Sequence, residues 1–174
     1  MAVRDFGRFL WQNFREFSRD AIDPVMHVAR FFCFLHITST RLVTPVRSEG
    51  PSMLPTINLT GDYVLAEKIS ARLGTVRPGD IVLIRSPQNP RNIVTKRVTA
   101  VEGQRVNFVA KPKESDLCET TVVPKGHVWI EGDNIYNSAD SRKFGPVPYG
   151  LIQGRVFWRI WPPNAFGPLG QRPE

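Results

Sequence analysis

From residue 46 onward, the sequence predicts a mainly β domain, built as a barrel or as coiled antiparallel sheets. Short apolar runs alternate there with turn signals such as Arg77-Pro78-Gly79-Asp80 and Glu102-Gly103. The 174 residues include 15 Pro and 13 Gly, which favour frequent turns over long regular elements. A hydrophobic content of 41% is sufficient for a real core. We therefore expect one β-rich domain that follows an N-terminal appendage.

The predicted strands are short, and most are bounded by Gly, Pro, Asn or Asp. They cover residues 63–69, 81–84, 93–101, 106–109, 120–123, 127–130 and 147–161. The N-terminal appendage is predicted to be helical. Residues 1–23 place five apolar side chains on one stripe at three- and four-residue spacing, namely Phe6, Phe9, Leu10, Phe14 and Phe17. This amphipathic helix suits packing against protein and a position on a lipid surface equally well.

A second helix is predicted over residues 24–43, because Asp23-Pro24 is typical of a helix start and Pro45 ends the pattern. It would be about 30 Å long, which is enough to cross a bilayer. Its centre, residues 31–35, is strongly apolar, but Arg30 and Arg41 interrupt the apolar pattern. Hydropathy alone leaves both a membrane span and a surface helix open.

Charge and cysteine content narrow the classes of function. The net charge of +7 favours nucleic acid or an anionic membrane as a partner, although moderate basicity also serves solubility. The two cysteines, Cys33 and Cys118, lie in unrelated contexts and form neither a disulfide framework nor a zinc motif. The sequence therefore predicts no metal site and no cofactor.

Ser52 lies in a proline-rich segment, Gly50-Pro51-Ser52-Met53-Leu54-Pro55-Thr56. The two prolines keep this segment out of helix interiors and central strands, so its hydroxyl is predicted to face a groove from an irregular loop. An ordinary serine in a turn is the alternative interpretation.

Lys96 lies in the predicted strand 93–101, where side chains alternate between the two faces. It is expected to share a face with Val94, Val98 and Ala100, whereas Arg97 points the other way. Apolar neighbours disfavour an ammonium group and lower its pKa, so this lysine could accept a proton from a serine. The alternative is an edge-strand lysine that reaches water. No GxSxG, SxxK, HExxH or Walker motif offers a competing mechanism.

Three segments together resemble the successive boxes of type I signal peptidases, in order and in spacing. They are the Ser52 segment, Lys96-Arg97-Val98, and Gly132-Asp133-Asn134 followed by Asn137-Ser138-Ala139-Asp140-Ser141-Arg142. The match covers about residues 48–161. The compact segment between Lys96 and the Gly-Asp-Asn box is most similar to the mitochondrial inner membrane branch of the family, in particular its first catalytic subunit.

The resemblance implies a site without a metal and a role for each matched residue. Ser52 would be the nucleophile and Lys96 the general base, and Ser138 would orient the lysine amine. Asp140 and Arg142 would form an ion pair in the floor of the site, Asp133 and Asn134 would shape the same loop, and Met53 would position the nucleophile and line the pocket. Many bacterial members have a serine two residues before the nucleophile that helps to hold the oxyanion, but this chain has Gly50. Backbone donors, with the Ser52 N–H first, would then have to hold the oxyanion.

The resemblance further implies three regions: anchor helices over residues 1–46, a peptidase domain over 47–163 and a tail over 164–174. The protein would be a membrane-bound serine endopeptidase of the mitochondrial inner membrane, with its catalytic domain facing the intermembrane space. It would remove sorting peptides from precursors, pair with a second homologous subunit and bind no nucleic acid. Two alternatives remain at this stage. They are a self-cleaving Ser–Lys repressor and a non-enzymatic basic β-barrel that binds nucleic acid.

Overall fold

The computed structural model describes residues 23–59, 61–110 and 118–170. The chain divides into two compact units, with the boundary between Arg41 and Leu42. The sequence analysis put this boundary at residue 46. The boundary in the structure lies earlier because the first strand of the sheet begins at Val43. The predicted amphipathic helix over residues 1–23 lies outside the described residues, apart from its last position.

The first unit contains the described part of a helix, α1, over residues 23–37, which continues into a π-helical turn, Thr38–Leu42. The helical segment thus ends one residue before the predicted limit at residue 43. Its large apolar side chains are exposed, with exposed fractions between 60% and 68% at Phe31, Phe32 and Phe34. Within the described residues, no helix combines the length and apolarity that a bilayer crossing requires.

The second unit is mainly β, as predicted. Its strands are β1 (Val43–Ser48), β2 (Asp62–Glu67), β3 (Ile81–Arg85), β4 (Ile93–Val101), β5 (Arg105–Val109), β6 (Cys118–Val122), β7 (His127–Glu131), β8 (Val147–Pro148), β9 (Ile152–Trp161) and β10 (Gly167–Pro168). Two short helices, α2 (Ile69–Leu73) and α3 (Ser141–Phe144), and 3-10 turns at Pro51–Met53, Tyr149–Leu151 and Pro163–Ala165 complete the described part.

One antiparallel sheet contains most of these strands in the order β1-β2-β9-β3-β4-β7-β8, with β10 on β9, while β5 and β6 form a separate hairpin. Strand β3 is buried on both faces because its alternate residues enter two different core clusters. Val82 and Ile84 pack with Val98, Val128 and Ile130, whereas Ile81 and Leu83 pack with Met53, Val64 and Val156. The predicted run over 147–161 is divided by the turn at Tyr149–Leu151, which separates β8 from β9.

The C-terminal strap, residues 163–170, belongs to the fold, although the sequence analysis treated residues 164–174 as a tail. The β10 strand pairs with β9, and the Leu169 N–H donates a hydrogen bond to the Phe157 carbonyl at 2.9 Å. Leu169 also packs on the cluster around Met53. The Gly170 carbonyl accepts a hydrogen bond from the buried Arg97 guanidinium. The strap therefore contributes both apolar contacts and a hydrogen-bond acceptor to the interior.

We predict that removal of residues 167–174 lowers the free energy of unfolding by about 2 to 4 kcal/mol, because it removes strand β10, a partly buried leucine and an acceptor of a buried cation. The melting temperature should fall by roughly 5–10 °C. Thermal denaturation, followed by circular dichroism, measures this change. The matched control removes only residues 171–174 and should melt like the full chain. Equal melting of both truncated chains would contradict a structural role for the strap.

Candidate active site

The predicted nucleophile lies on the 3-10 turn Pro51–Met53, which follows β1 and contacts β4. Pro51 starts this turn without needing a backbone donor, and Met53 anchors it with a side chain that is only 2% exposed. Ser52 is half-buried and lines a pocket of about 180 Å³ together with Leu83 and Thr95. The prediction of an irregular loop beside a groove agrees with this arrangement.

Gly50 precedes the turn with φ 109° and ψ 158°, a backbone conformation that is essentially restricted to glycine. Its N–H donates to the Leu59 carbonyl at 2.8 Å, which fixes this conformation. A serine at position 50 would be strained here. The absence of the bacterial serine therefore has a backbone cause in this chain.

Lys96 is buried in the middle of β4, with an exposed fraction of 3%. Its partner across the ladder is Val82, and Val94 and Val98 lie on the same face of the sheet. Burial lowers the pKa of Lys96 from 10.5 to about 8, which the neighbouring Arg142 also favours, while Asp140 and Asp133 oppose it. The predicted base therefore lies close enough to three other predicted site residues to interact with them electrostatically.

The expectation that Ala100 shares the face of Lys96 is wrong. A β-bulge between Val98 and Ala100 shifts the register against β7, so that Val98 pairs with Ile130 and Ala100 with Trp129. Ala100 consequently packs into a different cluster, with Trp129. Strict alternation holds only on regular strands, and a bulge reverses the face of every residue beyond it. The burial of Lys96 therefore does not depend on Ala100.

The loop that begins at Gly132 packs directly on the nucleophile turn. The backbone N–H of Asn134 donates to the Ser52 carbonyl and its side-chain amide donates to the Pro51 carbonyl, both at 3.1 Å. A Cβ atom at position 132 would lie 2.3 Å from Ser138 Oγ and 2.5 Å from the Ser52 carbonyl oxygen. Only glycine therefore allows this close approach of Ser52, Ser138 and the loop.

Asp133 connects this loop to β4 through Arg97, whose role the sequence analysis missed. The Arg97 guanidinium donates to both carboxylate oxygens of Asp133 at 2.8 Å, and the Thr56 hydroxyl donates to the same carboxylate at 2.6 Å. Both charged side chains are almost fully buried, with exposed fractions of 6% and 2%. The alternation of side chains along β4 was the signal in the sequence for this role, because a residue next to a buried lysine must point into the opposite layer.

Asp140 and Arg142 form the predicted ion pair. Arg142 Nε donates to Asp140 Oδ1 at 2.9 Å, and the Gly132 N–H donates to Asp140 Oδ2 at 2.8 Å. Burial alone would raise the pKa of Asp140, but hydrogen bonds from Arg142 and Gly132, with a smaller contribution from Ser138, lower it below its usual value. Asp140 also caps helix α3 by accepting from the Arg142 N–H. One carboxylate therefore fixes both ends of the loop 132–142.

Ser138, the predicted lysine-orienting residue, is buried above Gly132. Within the described part of the chain, its hydroxyl completes no hydrogen bond of normal geometry. Buried hydroxyl groups are rarely left without a partner, so this one can still bind a nearby donor or acceptor.

The geometry can thus be compared with known proteins. The family model for "Signal peptidase, peptidase S26" matches residues 22–112 and 109–161. The chain belongs to this signal peptidase family. The prediction of a signal-peptide-processing serine peptidase is therefore confirmed.

Several relatives of this signal peptidase have similar lengths. It is 54% identical to the mitochondrial ATP-independent inner membrane protease subunit 1b of Arabidopsis thaliana, over 90% of this chain and 92% of the relative. It is 42% identical to the human mitochondrial inner membrane protease subunit 1, over 86% of this chain and 89% of the relative. It is also 40% identical to subunit 2 of Danio rerio, over 95% and 85%. A signal peptidase I crystal structure from Enterococcus faecalis overlaps 46% of this chain and 95% of that chain at 23% identity, with a TM-score of 0.40, which is too low to support an argument.

We predict that Asp140→Asn lowers the free energy of unfolding of this signal peptidase by about 3–5 kcal/mol at neutral pH, because the substitution leaves Arg142 buried without its counter-charge. The pKa of Asp140 is depressed in the folded state, so its contribution is complete above the unfolded pKa of about 3.9, declines as the pH falls below that value and is lost as the pH falls through the folded-state pKa. The stability difference between wild type and variant should therefore shrink in acid. Urea titrations at pH 7 and pH 3.5 measure it. A difference of the same size at both pH values would contradict the charge argument.

Proposed function

We propose that this signal peptidase cleaves sorting peptides from precursor proteins at the mitochondrial inner membrane, with Ser52 as nucleophile and Lys96 as general base. The observation that carries the assignment is the burial of Lys96, which lowers its pKa to about 8 beside the turn that contains Ser52. A lysine with this pKa has an appreciable neutral fraction near pH 7, whereas a free lysine with a pKa of about 10.4 has almost none.

The neutral Lys96 amine takes the proton of the Ser52 hydroxyl while Oγ forms a bond to the scissile carbonyl carbon. Collapse of the tetrahedral intermediate breaks the C–N bond, and the Lys96 ammonium returns the proton to the leaving amine. The Lys96 amine, now neutral again, deprotonates a water molecule. This water attacks the acyl-enzyme, and its hydrolysis regenerates Ser52. Ser138 accepts a hydrogen bond from the amine and holds it towards Ser52, a role that the burial of its hydroxyl close to Gly132 supports.

The substrate binds as an added strand beside the active site. In the described sheet, β1 pairs with β2 on one side only, and β4 pairs with β7 only from Arg97 onward. Residues 93–96 of β4 and the outer edge of β1 therefore offer backbone donors and acceptors on two walls of the pocket that Ser52 lines. Backbone pairing gives affinity for many extended sequences.

The names of the relatives support a proposal for the location and the partner. Those that are named as subunit 1 and as subunit 2 of a mitochondrial inner membrane protease both align with most of this chain. We place the protein at this membrane, paired with a second homologous subunit and with its peptidase domain towards the intermembrane space. Helix α1, with its exposed aromatic side chains, together with the residues before it, would provide the attachment. No described contact favours the repressor or the nucleic-acid alternative.

The direct test of function is cleavage of a mitochondrial precursor and of the peptide that spans its processing site. Wild-type protein should give one product pair, and Ser52→Ala should lower kcat/KM by about 10³-fold or more because the nucleophile is absent. Ser86→Ala, a substitution in the loop after β3, is the matched control and should cleave like wild type. Retained cleavage by folded Ser52→Ala would reject Ser52 as nucleophile.

The second test concerns the protonation of Lys96. The rising limb of the pH profile of kcat/KM should report an apparent pKa near 8. Lys96→Arg should be as inactive as Lys96→Met, because arginine stays protonated at every accessible pH. Substantial turnover by folded Lys96→Arg would refute the dyad.

The same pKa has a consequence for stability. Since the folded-state pKa is lowered, the unfolded chain binds a proton that the folded chain lacks between pH 8 and about 10.4, and wild-type stability should rise with pH in this window. Below this window Lys96 is protonated in both states, and the lowering of its pKa from 10.5 to about 8 corresponds to a destabilisation of the folded state by roughly 3 kcal/mol. Lys96→Met should therefore be inactive but more stable than wild type at pH 7, as chemical denaturation would measure. A less stable Lys96→Met would contradict the burial argument.

A further inference from the structure

The segment that follows the nucleophile turn, residues 54–58, is held from two sides by buried ion pairs. Its central residue, Thr56, comes four positions after Ser52. The Thr56 hydroxyl donates to Asp133, which belongs to the ion pair with β4 described above. The Thr56 carbonyl accepts a hydrogen bond from the guanidinium of Arg159, on β9. Thr56 therefore connects the loop that begins at Gly132 to a charged group that the mechanism does not use.

The segment is also tied directly to the nucleophile turn. The Ile57 N–H donates to the Met53 carbonyl at 2.9 Å. Both side chains are almost fully buried, and they pack in one apolar cluster with Val64 and Val156. Because a close-packed interior transmits displacements, a shift of the segment shifts the turn that carries Ser52.

Arg159 forms a second buried ion pair, with Asp62 at the start of β2. Arg159 Nε lies 3.2 Å from Asp62 Oδ2, and the two side chains are 11% and 0% exposed. The Asp62 carboxylate also accepts from the backbone N–H of Asn58 at 3.1 Å and from its side-chain amide at 2.9 Å. Within the described residues, the side-chain hydrogen bonds of this pair to other residues go to Thr56 and Asn58, which both belong to the segment 54–58.

The strand β9 is irregular at the point that directs Arg159 inward. Its register against β2 shifts at two bulges, one on each side of the residues 64–65. On a regular strand, Trp158 would follow Val156 into the buried layer, but Arg159 is buried instead. Bulges re-aim side chains in this way and are over-represented next to active sites.

A second ion pair between the same two strands offers an internal comparison. Glu67 on β2 and Arg155 on β9 lie opposite each other, with Nε 2.9 Å from Oε1. The Glu67 carboxylate accepts from the Ile69 and Ser70 N–H groups at 2.6 and 2.9 Å, at the start of α2. In the described part of the chain, none of the hydrogen bonds or ion pairs of this second pair reaches the segment 54–58. The two pairs thus share their chemistry and their strands but differ in what they hold.

We propose that Arg159 and Asp62 are positioning residues of the peptidase, which act through the segment 54–58 to hold the turn of Ser52 towards Lys96. This inference rests on the proposed function, because it assigns further residues to the same reaction. In the described structure, neither Arg159 nor Asp62 lines the pocket beside Ser52. Loss of the pair should therefore misplace the reacting hydroxyl and lower kcat, while KM stays nearly constant.

The experiment uses full-length protein and a peptide that spans one processing site, at a temperature well below the melting temperature of every variant. Arg159→Gln should lower kcat about 10- to 100-fold, with KM within about threefold of wild type. Arg155→Gln is the matched control, and its kcat should stay within about twofold of wild type even where its melting temperature falls.

Two outcomes of this comparison separate the inference from the proposed function. Wild-type kcat in Arg159→Gln, with cleavage by the wild-type protein, would overturn the inference and leave the proposed function intact. Absence of cleavage by the wild-type protein would reject the proposed function and the inference with it.

A second variant separates positioning from stability. Asp62→Val with Arg159→Met replaces the buried pair by apolar side chains, a change that often leaves stability unchanged or raises it. Its melting temperature should return towards that of wild type, but its kcat should stay as low as in Arg159→Gln, because the hydrogen bonds to the segment 54–58 are absent. Recovery of kcat together with stability would show that the pair is merely structural and would refute the inference.

The pH profile identifies which partner of the dyad is displaced. Arg159 and Asp62 are not among the groups that shift the pKa of Lys96, so the rising limb of kcat/KM should keep an apparent pKa near 8 in the double variant. An apparent pKa that moves towards that of free lysine would place the effect on the base and contradict an action through the turn of Ser52.

Discussion

Two cations lie side by side on β4, and the alternation of the strand sends them into opposite layers. Lys96 enters an apolar layer, and burial there lowers its pKa although Asp140 and Asp133 oppose the shift. Arg97 enters the other layer and is neutralised by Asp133. Neither residue would work in the place of the other, because arginine cannot release its proton and a buried lysine makes a poor bidentate partner for a carboxylate. The register of this strand therefore determines which cation can act as a base.

The loop 132–142 brings the rest of the site to this strand. Gly132 approaches the Ser52 carbonyl, Asn134 holds the nucleophile turn, Asp133 binds Arg97, and Asp140 closes the loop on the Gly132 N–H. A change at any of these contacts would disturb the turn that carries Ser52, the proposed nucleophile, and the strand that carries Lys96, the proposed base. The loop thus links the two residues of the proposed dyad both through packing contacts and through charge.

Much of this could be predicted from the sequence, and the failures have physical causes. The limits of β4 follow from its residue pattern, and so does the burial of Lys96. The bulge beyond Val98 is set by pairing with β7, a contact between distant segments that no local pattern reveals. The Arg97–Asp133–Thr56 cluster could not be predicted for the same reason, because its members are up to 77 residues apart in the sequence. The strap was missed because its four-residue contact with β9 and the core carries almost no periodic signal.

The acceptor that Gly170 provides for Arg97 bears on when the site can form. Translation releases a polypeptide from its N-terminus to its C-terminus, and so does transport of an unfolded chain that enters a compartment N-terminus first. Ser52 and Lys96 therefore emerge long before the residue that completes the hydrogen bonds of Arg97, on the strand next to the base. A partly emerged chain holds a nucleophile and a lysine in an unfinished sheet, where the lysine is hydrated and protonated. The hydrogen bonds of Arg97, beside the proposed base, are therefore complete only after nearly the last described residue has emerged, so this part of the site reaches its final form late.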